Sequence, residues 1–204
     1  MGKNPIVIVG GEPNSIFLEI FFKSLEANSF KSPLIIIVSK KLLQEQMIKL
    51  GFSFKINDID KKFKDFSKLN NKKINLINVD YDFKKTFDRI TIKSNNYIDN
   101  CFKIALQILK KKNLTKLING PISKKHFLRK KFLGITEYLA AKTVNKRNVA
   151  MIIYNKKLSV SPITTHLPLK DVHKNITKEK IIYQTQLIHK QDTSSGANSS
   201  LQAA

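Results

Sequence analysis

Ile6-Val7-Ile8-Val9-Gly10-Gly11-Glu12-Pro13-Asn14-Ser15-Ile16-Phe17-Leu18 opens the chain with an apolar, mostly β-branched run, a glycine- and proline-bearing break, and a segment of helical character from Ser15 to about Leu25. Such a run, closed by turn residues, predicts a strand, a loop and a helix in that order. The same unit recurs downstream. Leu34 to Val38 repeats the strand signal; Ser39 is placed to cap the next helix, and Gly51, following Leu43, Met47 and Leu50, to end it. Ile74 to Val79 predicts a further strand. After a lysine-rich connection, Asn96 is expected to cap a helix whose Ile98, Cys101, Phe102, Ala105 and Leu109 share one face, and Leu117-Ile118 reads as a buried strand end. Strands alternating with helices predict a layered α/β fold with a mainly parallel sheet, because parallel neighbours require crossover connections.

Length and composition bound the rest. A chain of 204 residues, 42% of them apolar, is sufficient for one domain, or one and part of another, around a buried core. No apolar run approaches the ~18 residues of a membrane span, and the N-terminus lacks the pattern of a secretory signal, so a cytoplasmic protein with no membrane partner is expected. The single cysteine, Cys101, sits on an apolar helical face and is expected to pack in the core. The net charge of +22 raises the possibility of nucleic-acid binding. Only three of the 37 basic residues are arginine, however, and arginine is the side chain best suited to bidentate contacts with phosphates and bases. The lysines are scattered among many Ile, Asn and Phe, a bias of composition. No specific nucleic-acid partner is expected, only salt-sensitive attraction to polyanions.

Three polar breaks carry the chemistry. Asn119-Gly120-Pro121-Ile122-Ser123-Lys124 follows a strand end: Gly120 permits a tight turn, Pro121 fixes the exit, and Lys124 is either a partner for an anionic substrate group or one more solvated lysine. Gly134-Ile135-Thr136-Glu137 opens another helix, with Thr136 placed as its cap and Glu137 in the first turn where it favours the helix dipole. Thr164-Thr165-His166-Leu167-Pro168-Leu169 combines two hydroxyls, an imidazole and a proline. It lies after a strand-like run from Leu158 to Ile163 and before a helix expected from Leu169 onward. A neutral imidazole at a strand end can bind a divalent metal or move a proton; the structural alternative is a hydrogen bond across the turn.

In this order the segments resemble the 4-hydroxythreonine-4-phosphate dehydrogenase family of pyridoxal phosphate biosynthesis. The likeness rests on Gly11-Glu12-Pro13, on Gly120, Pro121 and Lys124, on Gly134, Thr136 and Glu137, and most strongly on Thr164 through Leu169; it covers roughly residues 5 to 190. It implies the α/β/α architecture of the isocitrate and isopropylmalate dehydrogenases, with two lobes, a cleft and a homodimer. It also implies NAD or NADP as hydride acceptor, a divalent metal (zinc, magnesium or cobalt) and a small phosphorylated hydroxy-amino-acid substrate. By the same resemblance His166 is a metal ligand and Thr136 a substrate-binding residue, and Lys124 is a candidate catalytic residue on the strength of its charge. The implied reaction oxidises C3 of 4-phosphooxy-L-threonine and then loses carbon dioxide.

Two departures stand out. Ile135 occupies the place of a family histidine and can neither donate nor accept a hydrogen bond, which leaves room for a 4-phosphorylated threonate or erythronate as substrate. Asn14-Ser15-Ile16-Phe17-Leu18 replaces a small-residue continuation. The expected organisation is a first lobe over 1–120, part of a second over 121–190, and a disordered or aberrant tail over 191–204, where lysine disappears and little apolar content remains. The resemblance implies that family members continue further and that the second half brings two more histidine ligands, so this chain is expected to be an N-terminal part, inactive alone. A noncatalytic, polyanion-binding module is the alternative from another functional class.

Overall fold

The computed structural model describes residues 4–60, 68–129, 131–143, 149–155, 157–165 and 167–194. The chain divides into two compact units, Met1–Arg129 and Lys130–Ala204.

The first unit is built on five parallel strands: β1 (Ile6–Val9), β2 (Leu34–Val38), β3 (Ile56–Asp58), β4 (Ile74–Asn78) and β5 (Leu117–Asn119), in the spatial order β3-β4-β2-β1-β5. Of the three interior strands, β1 and β2 are apolar throughout. All five residues of β2 are buried, which is why its sequence shows no alternation: a parallel strand covered on both faces has no polar side to display. Helices α1 (Phe17–Ala27) and α2 (Lys40–Lys49) cover one face, where Leu18, Phe21, Phe22, Leu42, Leu43 and Met47 meet Ile8, Ile36, Val38 and Leu76. Helix α3 (Asn95–Lys112) packs against β1 and β2 with Ile98, Cys101, Phe102 and Ala105 buried, so strand residues of opposite parity, such as Val7, Val9, Ile35 and Ile37, serve the other face. The result is the expected parallel α/β architecture.

Local signals act as their chemistry dictates at α2. Ser39 Oγ accepts from the Leu42 N–H, closing the start of the helix. At its end Gly51, with φ of 77°, donates to Ile48 O while Phe52 N–H returns to Met47 O. This double bond pattern satisfies carbonyls the helix would leave orphaned and needs the left-handed conformation glycine adopts freely. Elsewhere the structure differs from expectation. Strand β3 is an addition, a three-residue edge strand with one apolar side chain. Asn96 does not cap α3, since a 3-10 turn over Ile92–Ser94, capped by Thr91, leads directly into the helix.

The second unit holds α4 (Ile135–Lys142), α5 (Leu169–Asn175) and α6 (Lys178–Ser194). Helix α5 begins at Leu169 as the sequence predicts. The Leu158 to Ile163 run is no strand: Val160 forms one antiparallel bridge with Ile153, and Leu158 and Val160 stand exposed. β-branched character alone does not make a strand, and among the described residues this run has only the one bridge to pair with. The tail expected to be disordered from residue 191 is instead helical over 191–194, where α6 continues to Ser194, and the rest of it, 195–204, lies outside the described residues. Among the described residues no helix is long and apolar enough to cross a membrane.

Candidate functional site

Within the first unit the strand order reverses beside β1: the chain leaves β1 for β2 on one side and later returns as β5 on the other. Open parallel sheets bind ligands at such a switch point, off the carboxyl ends of the strands. Both glycine loops of the sequence emerge there and touch backbone to backbone. Gly120 N–H donates to Val9 O at 2.7 Å and Glu12 N–H to Pro121 O at 2.8 Å. A Cβ on Gly120 would collide with the Gly10 carbonyl and lie 2.8 Å from the Phe17 ring. The glycines are therefore required by close approach of two loops far apart in sequence.

The Gly-Glu-Pro loop is pinned from three further directions. Gln46, fully buried on α2, donates to Pro13 O at 2.9 Å. Asn14 accepts from Asp88 N–H and donates to Arg89 O. Glu12 is 2% exposed, with Oε2 at 3.2 Å from Ser94 Oγ and Oε1 lacking a hydrogen-bond partner among the described residues. Burial pushes the Glu12 carboxyl above its ordinary value of 4.5, against the opposing pull of Ser94 and of the Asn14 backbone N–H. Ser94 Oγ also lies 3.0 Å from Thr91 O. A hydroxyl has one proton; when it serves Thr91, Ser94 becomes an acceptor that neutral Glu12 can satisfy.

A pH dependence follows with a defined sign. Because the folded-state pKa is raised, the Glu12 contribution to stability is fully present below the ordinary carboxylate pKa and is lost as pH rises through the folded value. Glu12→Gln keeps the shape and has no proton to lose. Urea midpoints measured between about pH 4 and about pH 8 should show the variant gaining on wild type as pH increases. A constant difference between the two proteins across that range would rule out this linkage.

Lys124 lies in the first unit, exposed, as the first residue of a π-helical turn, Lys124–Leu128, whose start is capped by Ser123 Oγ accepting from His126 N–H. Thr136 lies in the second unit. It does not cap α4, because Gly134 takes the cap position and Thr136 falls within the first turn. Thr136 and Glu137 line a cavity of about 330 Å³ together with Thr165, Pro162, Met151 and Gln184. Thr165 Oγ1 donates to Glu137 Oε1 at 3.3 Å, tying the Thr-Thr-His segment to the Gly-Ile-Thr-Glu segment. Two sequence motifs thus meet at one cavity. His166 itself lies outside the described residues.

Among the described residues no group of three or more His, Cys, Asp or Glu side chains is placed to hold a metal. His126 belongs to the π-helical turn, His173 to α5 and His189 to α6. The described donor set does not fit a metal centre of three protein ligands. The residues that sequence reasoning undervalued are Glu12, read only as part of a motif, and Glu137, read as a helix-dipole residue. Their neighbours Ser94 and Thr165 are 82 and 28 positions away, and no local signal announces such pairings.

The chain matches the family described as pyridoxal phosphate biosynthetic protein PdxA over residues 29–200. It belongs to that family. Among curated relatives, the 4-hydroxythreonine-4-phosphate dehydrogenase of Sulfurihydrogenibium sp. is 35% identical over 189 residues, which is 91% of this chain and 57% of the relative. That of Colwellia psychrerythraea is 29% identical over 91% of this chain and 56% of the relative. The chain therefore spans rather more than half the length of these relatives. A crystal structure of 4-hydroxythreonine-4-phosphate dehydrogenase from Klebsiella pneumoniae superposes with a TM-score of 0.78 at 20% identity, covering 95% of this chain and 61% of that one, and so shares the fold.

Proposed function

We propose that this chain supplies part of a dehydrogenase that oxidises C3 of 4-phosphooxy-L-threonine in pyridoxal phosphate biosynthesis. Family membership supports the reading, and one structural observation carries it: Thr136 and Thr165, from two separate motifs, line the same cavity, with Glu137 bonded to Thr165. In the proposed reaction the C3 hydroxyl gives up its proton while hydride passes from C3 to NAD or NADP. The resulting 3-oxo acid then loses its carboxylate as carbon dioxide, because the ketone accepts the electron pair, leaving 3-amino-2-oxopropyl phosphate.

The roles assigned to this chain are binding and orientation. Thr136 offers a hydroxyl to the substrate from the first turn of α4, and the Glu137–Thr165 hydrogen bond holds the Thr164-Thr165 segment that precedes His166 in sequence. Lys124 is assigned to an anionic group of substrate or cofactor. His166 is assigned as one ligand of a divalent metal, zinc, magnesium or cobalt, whose other ligands would come from outside the described residues. The assembly is proposed to be a cytoplasmic homodimer, and the 204-residue chain is expected to show no turnover alone. A 4-phosphorylated threonate or erythronate is the second reading, favoured specifically by Ile135, which removes a polar contact at the substrate.

Calorimetric titration of the chain with 4-phosphooxy-L-threonine near physiological salt tests the assignment. Saturable binding that Thr136→Ala weakens roughly tenfold is expected, the scale of one lost hydrogen bond to a charged ligand. Binding that Thr136→Ala leaves intact, but that inorganic polyphosphate competes away and higher salt abolishes, would replace it with the polyanion reading.

A further inference from the structure

The first unit holds another cavity, of about 350 Å³, at the amino ends of its strands, opposite the end where the two glycine loops meet. Its walls are the connection from α1 to β2, the residues that lead into β4, and Phe54 just before β3. Asparagine side chains fix the first two. Asn71 Oδ1 accepts from Leu34 N–H at 2.8 Å, and its amide protons go to Phe30 O at 2.9 Å and Ser32 O at 2.8 Å. Asn75, 2% exposed on β4, donates to Leu34 O and to Asn70 O. The Phe54 ring is held too, stacked 6.0 Å from Phe22 and 6.1 Å from Phe52. A cavity whose walls are pinned before any ligand arrives spares most of the ordering cost of binding.

The lining divides by chemistry. Leu25, Phe30, Phe54 and Ile74 supply an apolar side, on which the Phe30 ring stays partly exposed. Lys72 and Lys73 bring two ammonium groups to the rim, and neither has an acceptor among the described residues, whose ion pairs are Lys23–Glu19 and Lys40–Asp58. Ser29 adds a hydroxyl, Asn71 has both amide protons committed, and the described lining contains no carboxylate. Two lysines in so basic a chain are by themselves solvated surface; here they border a rigid aromatic cavity. We propose that this cavity binds an aromatic phosphomonoester, its ring against Phe30 and Phe54 and its phosphate on Lys72 and Lys73. The two ammonium groups match the roughly 1.5 to 2 negative charges of a phosphomonoester at neutral pH. The volume is at the lower end of the roughly 300–1,000 Å³ of ligand cavities and admits one small ring system. The site shares no lining residue with the cavity of Thr136 and does not depend on the substrate reading.

Titration of the isotopically labelled 204-residue chain with phenyl phosphate, followed by nuclear magnetic resonance near physiological salt, is the test, with inorganic phosphate as the comparison. Phenyl phosphate should give saturable shifts at Phe30, Phe54 and Lys73 and bind at least roughly tenfold more tightly than inorganic phosphate, because the ring adds buried apolar area. Replacing both Lys72 and Lys73 by alanine should weaken it roughly tenfold or more, the scale of lost charge-assisted hydrogen bonds. Replacing Lys110 and Lys111, exposed on α3, should leave binding unchanged, and Phe30→Ala should remove most of the advantage over inorganic phosphate. Equal affinity for the two phosphates, equal losses in the two lysine variants, or shifts away from the cavity would overturn the assignment and leave only diffuse attraction to a basic chain. The lysine positions are exposed, so those variants decide even if Phe30→Ala fails to fold. Failure of 4-phosphooxy-L-threonine to bind at Thr136 would leave this site standing.

Discussion

Phe22→Ala should lower the unfolding free energy of the first unit by about 3–5 kcal/mol, the range for truncating a fully buried aromatic. Phe22 has no exposed surface and lies on α1 at the centre of an aromatic group. Its ring centroid is 6.0 Å from Phe21, 5.3 Å from Phe52 and 6.0 Å from Phe54. Truncation loses the transfer free energy of the ring, the ring-on-ring contacts and the packing of a cavity that neighbouring strands cannot collapse to fill. Urea unfolding followed by far-ultraviolet circular dichroism reads the effect. A loss below about 1 kcal/mol would mean the site is far less tightly packed than the structure shows.

Gly11→Ala should cost about 2–4 kcal/mol, from two sources that add. Gly11 holds φ at 72°, a left-handed conformation that penalises any Cβ. A Cβ there would also strike the Pro121 carbonyl and lie 2.8 Å from the Gly120 carbonyl. Backbone cannot rotate aside as a side chain can, so the two strand-end loops must part, and the Glu12 N–H bond to Pro121 O is strained or lost. Gly51→Ala provides the control. Gly51 also has positive φ, but nothing lies within 4 Å of its would-be Cβ, so it should show the conformational penalty alone. Equal losses at the two positions would deny the loop junction its role.

The contrast between those glycines marks what sequence can convey. Gly51 follows its helix directly, and its role is local, so it can be read beside Leu50. Gly11 owes its identity to the Gly120 and Pro121 carbonyls and Gly120 to the Gly10 carbonyl, across more than a hundred residues, and sequence indicates only that each permits a turn. The same division holds for strands. Leu34 to Val38 is legible because a strand buried on both faces must be apolar throughout, whereas Ile56-Asn57-Asp58 at the sheet edge has one apolar side chain and escapes notice. Leu158 to Ile163 misleads in the other direction, since β-branched character predicts a strand but only pairing makes one. At the cavity beside α4, the motif residues Thr136 and Thr165 are visible in sequence. The hydrogen bond from Thr165 to Glu137 is not, because its partners lie 28 positions apart.

Nuclear magnetic resonance of the isotopically labelled chain during titration with 4-phosphooxy-L-threonine places the ligand most directly. The account predicts saturable shifts concentrated at Thr136, Glu137, Thr165 and the adjoining His166, persisting near physiological salt. Shifts confined to lysine-rich surface such as Lys110, Lys111 and Lys112, fading as salt rises, or an absence of shifts at the cavity residues, would contradict it.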